Sequence, residues 1–360
     1  MPHGDNALKN KRWILWLLVV VALVVLALVA RQRIHFNWQV FLQQLKLADW
    51  TKIGIGIAMI WLAYGVRATR WALFLRPTKK VSPFKLIGTQ VIGFTAVALF
   101  GRLADLVRPY LVSRRTNIPL GSQVAVYTVE RMFDFGSMAL IFSAVLLFSP
   151  DRHQLPRPDL INKVALGGLL GTIFLALFAI FARVSGKVVA GIFGKGLGAI
   201  SPKLGAAASE KILAFRDGLN AIASLGDFLG AAALSLLMWG MITYAYLETT
   251  RAFTASPQLA GMTLSRCMLL MAASMGSSLI QLPVIGWFTQ IGLTTATMQA
   301  LFKVAPEPAL GCGAMLLVVT FMSIIPVGLI WARFEHVSLR KISEESEHAG
   351  EQELQGVGQR

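Results

Sequence analysis

The amino-acid sequence predicts an all-α, polytopic membrane protein, and three observations support this. Hydrophobic residues make up 55% of the 360 residues and charged residues only 14%, against about a quarter in soluble domains. The apolar residues form runs that approach or exceed the roughly 20 residues that a helix needs to cross a bilayer. The basic residues lie mainly between these runs, so the formal net charge of +16 indicates cytoplasmic loops and contact with anionic lipid rather than nucleic-acid binding.

Two spanning helices are predicted near the N-terminus. Residues 13–30 form an apolar run without a small-residue cleavage site after it, which predicts an uncleaved helix rather than a signal peptide. The loop 31–52 leads to a second helix, 53–75. Basic ends of spanning helices face the cytoplasm. The end of this second helix is basic, which predicts that it lies on the cytoplasmic side, together with the N-terminus. The basic residues around this end are Arg67, Arg70, Arg76, Lys79, Lys80 and Lys85.

The segment 84–121 is predicted to be a re-entrant hairpin. The next two helices, about 123–148 and 164–183, are joined by the mixed-charge loop 149–163, and the second one ends in a basic stretch, 185–225, that is predicted to lie at the cytoplasmic interface. Counting back from that stretch places both ends of the hairpin on the cytoplasmic face. Such a segment is tolerated where protein or water shields its backbone and charges.

The second half of the membrane region, 149–334, repeats the order of the first half, 1–148, in the opposite orientation. A span at 228–247 and a last span at 309–332 enclose the segment 261–308, which must begin and end outside and is predicted to be a second re-entrant hairpin. About six spans and two oppositely oriented hairpins then form an inverted repeat. This arrangement is typical of transporters whose site lies between the repeats.

The stretch 101–134 contains the strongest candidate substrate-binding residues. A charge at the bilayer centre costs at least ~2.5–3.5 kcal/mol on insertion scales, so such residues pair or face a wet cavity. Three of them, at spacing i, i+3 and i+6, could share one helix face, and Glu130 and Asp134 could share another with Arg131 beside them. A purely structural ion-pair network is the alternative. The candidates are Arg102, Asp105, Arg108, Glu130, Arg131 and Asp134.

Other residues of the hairpins are assigned mainly structural roles. Gly101 lies at the tip of the first hairpin, and Pro109 is predicted to stop or bend the returning helix. Pro283 and Gly286 are predicted to break the second hairpin. Gln290 is a further substrate-binding candidate, because an uncharged polar group deep in the membrane needs a partner.

Three further pairs of residues have readings that stay open. Trp287 and Phe288 are either an apolar plug between the hairpins or an interfacial anchor. Arg114 and Arg115 either belong to the charged group of the stretch 101–134 or are simply part of a basic cytoplasmic loop. Glu130 with Asp134 could serve as acid and base.

No motif indicates a metal site or a cofactor. The two cysteines, Cys267 and Cys312, lie in apolar segments and are predicted to be packing residues, and the five histidines are far apart. The sequence GIFGKG at 191–196 matches a phosphate-binding loop only in part and is predicted to be an interfacial turn.

Three motifs resemble the membrane region of the lysylphosphatidylglycerol synthase family, often described as flippase-like. They are GRLADLVRPYLVSRR (101–115), VERMFD (129–134) and QLPVIGWFTQIGLTTATMQALF (281–302). The third departs from the family's glycine-rich form at Trp287 and Phe288. Synthases of this family carry a large soluble domain after the membrane region, whereas the polar tail 335–360 is predicted to be disordered.

The sequence and the resemblance together favour a flippase-like transporter that moves an anionic or phosphate-bearing lipid between leaflets of a bacterial-type inner membrane, with both termini cytoplasmic. The expected partners are membrane lipids. The sequence does not decide whether the protein forms a homo-oligomer. One alternative is a non-transporting accessory protein that works with enzymes of lipid or glycolipid biosynthesis. A membrane-embedded lipid-modifying enzyme is the second alternative.

Overall fold

A computed structural model describes residues 36–155, 157–199, 201–207, 209, 222, 224–277 and 285–339. Helices and short connections account for these residues, and no strand occurs among them. The all-α prediction is therefore confirmed. The predicted first span, 13–30, lies outside the described residues.

The α-helices are numbered here in chain order. They are α1 (Trp38–Lys46), α2 (Trp50–Leu75), α3 (Pro83–Phe100), α4 (Val107–Thr116), α5 (Leu120–Phe148), α6 (Pro158–Gly198), α7 (Leu225–Arg251), α8 (Pro257–Ala260), α9 (Leu264–Ser277), α10 (Ile285–Phe302), α11 (Pro306–Leu317) and α12 (Ile325–Phe334). Short 3₁₀-helices occur at Gly101–Ala104 and Arg152–Gln154, and the π-helix Val318–Met322 continues α11 towards α12.

Five of the described helical segments are long and apolar enough to cross a membrane, which confirms a polytopic membrane protein. The sequence predicts α2 as a span, but it is not among the five, and it carries Lys52, Arg67 and Arg70. Conversely, α3 qualifies as a span although the sequence predicts it as one arm of a hairpin. The five segments are Pro83–Phe100, Leu120–Phe148, Pro158–Ala179, Leu225–Arg251 and Pro306–Phe334.

Side-chain caps fix where several helices begin. Asn37 accepts hydrogen bonds from the backbone N–H groups of Gln39 and Val40 at the start of α1, and Asp49 does the same for the start of α2. Ser224 and Asp227 form a reciprocal capping box at the start of α7. These side chains satisfy N–H groups that have no partner inside the helix.

Two helical hairpins are present. The first consists of α3 and α4, which pack against each other around a break at Gly101, whose φ of 72° and ψ of −155° lie in a region that essentially only glycine adopts. The second consists of α9 and α10, which also pack together; the residues between them, including Pro283, lie outside the described residues. The re-entrant placement of both hairpins and the inverted repeat stay predictions.

The structure departs from the sequence-based boundaries in three places. The predicted loop 31–52 contains α1, and α6 continues past its predicted end to Gly198 with a kink at Ser185. At about 1.5 Å per residue, α6 is far longer than the roughly 30 Å hydrocarbon core, so only part of it can lie there. Glu335, at the start of the predicted tail, pairs with Arg115 at 3.0 Å, so the first residues of that tail are ordered against α4.

Candidate functional site

Six charged side chains from three helices form one buried group, here called the arginine cluster. The helix α2 contributes two of them, α4 contributes one and α5 contributes three. Five of the six are at most 9% exposed, whereas Arg131 is 33% exposed. The members are Arg67, Arg70, Arg108, Glu130, Arg131 and Asp134.

Glu130 lies at the centre of the arginine cluster. Its Oε1 accepts hydrogen bonds from Nη2 of Arg70 at 2.8 Å and from Nη1 of Arg67 at 3.3 Å. Its Oε2 accepts from Nη1 of Arg108 at 3.2 Å. One carboxylate therefore connects α2, α4 and α5.

Asp134 lies one turn further along α5, on the same face as Glu130, because residues four apart in a helix are neighbours. Its Oδ1 is 2.7 Å from Nη1 of Arg70, and its Oδ2 is 3.0 Å from Nη2 of Arg131 and 3.6 Å from Nη1 of Arg67. These contacts are ion pairs by distance, but the oxygens of Asp134 lack aligned hydrogen bonds among the described residues. Asp134 is therefore linked by ion pairs to two arginines of α2 and to Arg131 of its own helix.

Aromatic rings and one glycine position Arg108. Its guanidinium lies 4.4 Å from the ring centre of Phe94, 5.1 Å from that of Tyr127 and 5.3 Å from that of Trp71, distances at which a cation is attracted to a ring face. On the facing side of α3, a Cβ added to Gly93 would overlap the Cγ of Arg108. A glycine at position 93 thus leaves the space through which the arginine reaches Glu130.

The arginine cluster has more positive than negative charge and more donors than acceptors. Its four guanidinium groups face two carboxylates. The Nε atoms of Arg70, Arg108 and Arg131 and the side-chain amide nitrogen of Gln90, whose Oε1 accepts from Arg108, are buried without a hydrogen-bond partner in the described parts of the chain. On the acceptor side, only the two oxygens of Asp134 are in the same position within the cluster. A group with several acceptor oxygens and a negative charge, such as a phosphate, matches this surplus.

The structure brings together four of the predicted site residues: Arg108, Glu130, Arg131 and Asp134. The expectation that Arg102, Asp105 and Arg108 share one helix face is wrong, because the 3₁₀-helix that holds Arg102 ends at Ala104 and α4 begins only at Val107. Asp105 is half-buried in the turn between them. The side chain of Arg102 lies outside the description.

Pro109 lies in the first turn of α4, and the helix continues to Thr116. The prediction that it stops or bends the returning helix is therefore wrong. In a first turn the missing N–H of proline costs nothing, so Pro109 is well placed at the start of a helix.

Sequence reasoning missed Arg67 and Arg70 as site residues. It used them only as markers of a cytoplasmic helix end, whereas both side chains are buried and bind Glu130. Arg70 also donates a hydrogen bond to Ser235 of α7. A signal was available, since both arginines lie inside the predicted span 53–75 rather than beyond it.

The second hairpin carries neutral polar groups. The amide nitrogen of Gln290 donates to Oγ of Ser274 at 3.2 Å, and the hydroxyl of Tyr246 lies 2.9 Å from the same oxygen. Gly286 is the second residue of α10, and the predicted helix breaker Pro283 lies outside the described residues.

The two hairpins touch near their connecting ends. The indole N–H of Trp287 donates to the backbone carbonyl of Ala98 in α3 at 3.0 Å. Gly101, Gly286 and Gln290 border one small cavity beside this contact. Of the two readings of Trp287 and Phe288, contact between the hairpins fits Trp287, whereas Phe288 is 61% exposed.

A separate polar contact lies in the loop between α5 and α6. Asp151 accepts hydrogen bonds from Ser149, from Thr263 at 2.6 Å and from Ser265 at 2.6 Å. Partial burial would raise the pKa of Asp151, but these hydrogen bonds outweigh it and hold the pKa below its ordinary value. The loop is thereby tied to the start of α9.

Among the residues described, no group of three or more His, Cys, Asp or Glu side chains could hold a metal ion. Cys267 and Cys312 are both buried and free.

The fold and the arginine cluster define an integral membrane protein with a positively charged group buried among its helices. The chain belongs to the family described as the lysylphosphatidylglycerol synthase TM region, whose sequence profile matches residues 13–330. The match includes both hairpins and all members of the arginine cluster. A comparison with curated proteins and another with solved structures find no match. The family relates the chain to the handling of membrane lipids.

Proposed function

We propose that this protein binds the phosphate-bearing headgroup of an anionic lipid at the arginine cluster and moves the lipid between the two leaflets. The observation that carries the proposal is the surplus of two positive charges and of unpaired donors in a buried site. Membership of a family related to lipid handling supports a lipid as the source of the phosphate.

Electrostatics explain why an anion would bind there. Removing a charge from water costs several kcal/mol unless it is paired (about 3–5 kcal/mol when one partner of a buried pair is lost). Glu130 and Asp134 compensate two of the four arginines, and a phosphodiester headgroup, which carries a single negative charge, would compensate one more. A planar guanidinium can donate two parallel hydrogen bonds to phosphate, which an ammonium cannot.

In this proposal the lipid headgroup reaches the arginine cluster from the side of Arg131. Its side chain is 33% exposed while that of Glu130 is 1% exposed, so a headgroup would meet Arg131 first. In this proposal the contact between Trp287 and Ala98 closes the far side of the path and opens during transport. The headgroup would then reach the arginine cluster from one leaflet when this contact is closed and from the other leaflet when it is open.

Transport can be tested in vesicles that contain the purified protein and a fluorescent phosphatidylglycerol, with a reductant added to one side. We expect Arg108→Gln to slow leaflet exchange about tenfold or more, because a hydrogen bond to a charged group contributes about 1.5–3 kcal/mol. The control is Arg115→Gln, since Arg115 is 38% exposed and pairs only at the surface. Exchange at the wild-type rate in a folded Arg108→Gln variant would refute the proposed path.

The same vesicles separate the alternatives. An unchanged lipid mass together with leaflet exchange indicates a transporter. A changed mass would indicate a lipid-modifying enzyme, and binding without exchange would indicate an accessory protein.

A further inference from the structure

An apolar groove lies between α5, α6 and α7, on the face of α5 next to the arginine cluster. Only two of its lining residues are polar, and one of these, Thr172, satisfies its hydroxyl on Gly168 of its own helix. The lining includes Phe133, Gly136, Ala176, Phe228 and Ala232. Nothing that lines this groove takes part in the arginine cluster.

The shape of the groove favours a slim occupant. Small residues form part of its floor: a Cβ added to Gly136 would meet only the methyl group of Thr172, at 3.9 Å. Phe133 and Phe228, whose ring centres are 5.3 Å apart, stand at its side. A helix is about 10–12 Å wide with its side chains, whereas a single hydrocarbon chain can pass between large side chains.

The surroundings of the groove are suited to a bilayer. On α6, Leu170 and Phe174 are 57% and 66% exposed, which places an open apolar face beside the groove. Burial of each CH₂ group contributes about 0.8 kcal/mol when it leaves water, but an acyl chain already in the bilayer gains mainly close packing. The groove therefore selects by shape, and charge must supply any preference for a headgroup.

Basic residues lie at the end of the groove where α7 begins. Asp227, next to Phe228, lies 3.5 Å from Arg76, whose side chain is 63% exposed. Lys79, whose Nζ donates to the backbone carbonyl of Thr116 at 2.8 Å, and Lys80 follow in the exposed segment just after the turn at Arg76. These charges complement an anionic headgroup and do not complement a second apolar helix.

We propose that this groove holds one acyl chain of an anionic phospholipid, with the headgroup at the basic turn around Arg76. At 3.6 residues per turn, Val129 and Phe133 in the groove are on α5 at the same depth as Glu130 and Asp134 on the adjacent face. The bound lipid therefore lies level with the arginine cluster and separated from it by α5. The proposal does not depend on transport.

The test uses a phosphatidylglycerol that carries a photoreactive diazirine in the middle of one acyl chain. The purified full-length protein is placed in vesicles of phosphatidylethanolamine with this probe and irradiated, and the labelled peptides are mapped by mass spectrometry. We expect labels on the parts of α5, α6 and α7 that line the groove. Labels spread evenly over the exposed face of α6 would overturn the proposal.

Two variants sharpen the test. Gly136→Leu should fill the groove and lower its labelling about tenfold, equivalent to roughly 1.4 kcal/mol. The matched control is Gly167→Leu on α6, where a Cβ has nothing within 4 Å, and its labelling should be unchanged. If Gly136→Leu does not fold, Ala232→Leu fills the groove from α7.

A third variant tests the headgroup. Arg76→Gln should remove the preference for phosphatidylglycerol over a phosphatidylcholine probe with the same chain. Undiminished groove labelling in folded Gly136→Leu and Ala232→Leu variants contradicts the proposal, as does a photo-crosslink between two copies of the protein across the groove. Loss of leaflet exchange in Arg108→Gln with intact groove labelling would leave this site standing, so the two proposals can fail separately.

Discussion

The two hairpins differ in chemistry although each is a pair of packed helices. The first hairpin delivers Arg108 to a network with Glu130 in which four arginines meet two carboxylates. The second delivers Gln290 to Ser274 and Tyr246, all uncharged. In the proposed function, electrostatic binding therefore belongs to the first hairpin, and the second hairpin contributes neutral contacts and the contact of Trp287 with Ala98.

The largest expected effect comes from breaking the charged network at its centre. Glu130→Gln removes the carboxylate that three buried arginines share, so we expect a loss of about 3–5 kcal/mol in the free energy of unfolding. Thermal unfolding in detergent and lipid measures this. In the second hairpin, Gln290→Leu should cost only about 1–3 kcal/mol, because one buried hydrogen bond is lost.

A double-mutant cycle tests whether the network is shared. Adding Arg70→Met to Glu130→Gln should restore part of the stability, since the second change lowers the positive charge that Asp134 alone must then compensate. Strictly additive losses would show that the two residues act independently. Arg115→Gln, in an exposed pair, should change stability by less than about 1 kcal/mol.

The next effect concerns the positioning of Arg108. Gly93→Ala places a methyl group where the stem of Arg108 passes, and overpacking of this kind costs about 1–3 kcal/mol. We also expect weaker binding of an anionic lipid, measured by titration. The control is Gly54→Ala on α2, where a Cβ has nothing within 4 Å; wild-type binding by Gly93→Ala would show that Arg108 need not hold its present position.

A smaller effect is expected at the contact between the hairpins. Trp287→Phe removes the hydrogen bond to Ala98, which is worth about 0.5–1.5 kcal/mol. The distance between spin labels on α3 and α10 should then show a larger population of separated hairpins. Phe288→Leu, at an exposed position, should leave the distribution unchanged, and equal distributions in all three proteins would argue against a closing contact.

The smallest effect is expected at Asp151. Because the pKa of its carboxyl is lowered in the folded protein, its contribution to stability is present above the ordinary pKa of about 3.9 and is lost as the pH falls through the folded-state value. The difference in Tm between wild type and Asp151→Asn should therefore shrink as the pH is lowered below about 4. A difference that stays constant over this range would exclude the titration of Asp151 as its cause.

Most of the long helices could be predicted from the sequence because they coincide with long apolar runs, whereas the amphipathic helix α1 lies in a predicted loop. That Glu130 and Asp134 share one face of a helix was also predictable, since it depends only on spacing within that helix. The first hairpin reverses at Gly101, where the sequence places its tip. These are local properties of the chain.

The partners of the carboxylates could not be predicted in the same way. Arg67 and Arg70 lie about sixty residues earlier in the chain. In the sequence, an arginine of a cytoplasmic loop cannot be told from an arginine of a buried site. The break after Gly101 depends on a backbone conformation of one residue, and the contact of Trp287 with α3 depends on tertiary packing. Contacts of these kinds are set by the assembled fold rather than by local pattern.

If the arginine cluster is an anion site, the protein should bind an anionic lipid through it. Equilibrium binding of a short-chain phosphatidylglycerol measures this binding without requiring transport. Isothermal titration of the wild type, Arg108→Lys, Arg108→Gln and Arg115→Gln would give the Kd of each. We expect wild-type affinity for Arg115→Gln, intermediate affinity for Arg108→Lys, and a Kd raised about tenfold or more for Arg108→Gln. Equal affinity of all four proteins, or equal binding of phosphatidylcholine by the wild type, would contradict an anion site at the arginine cluster.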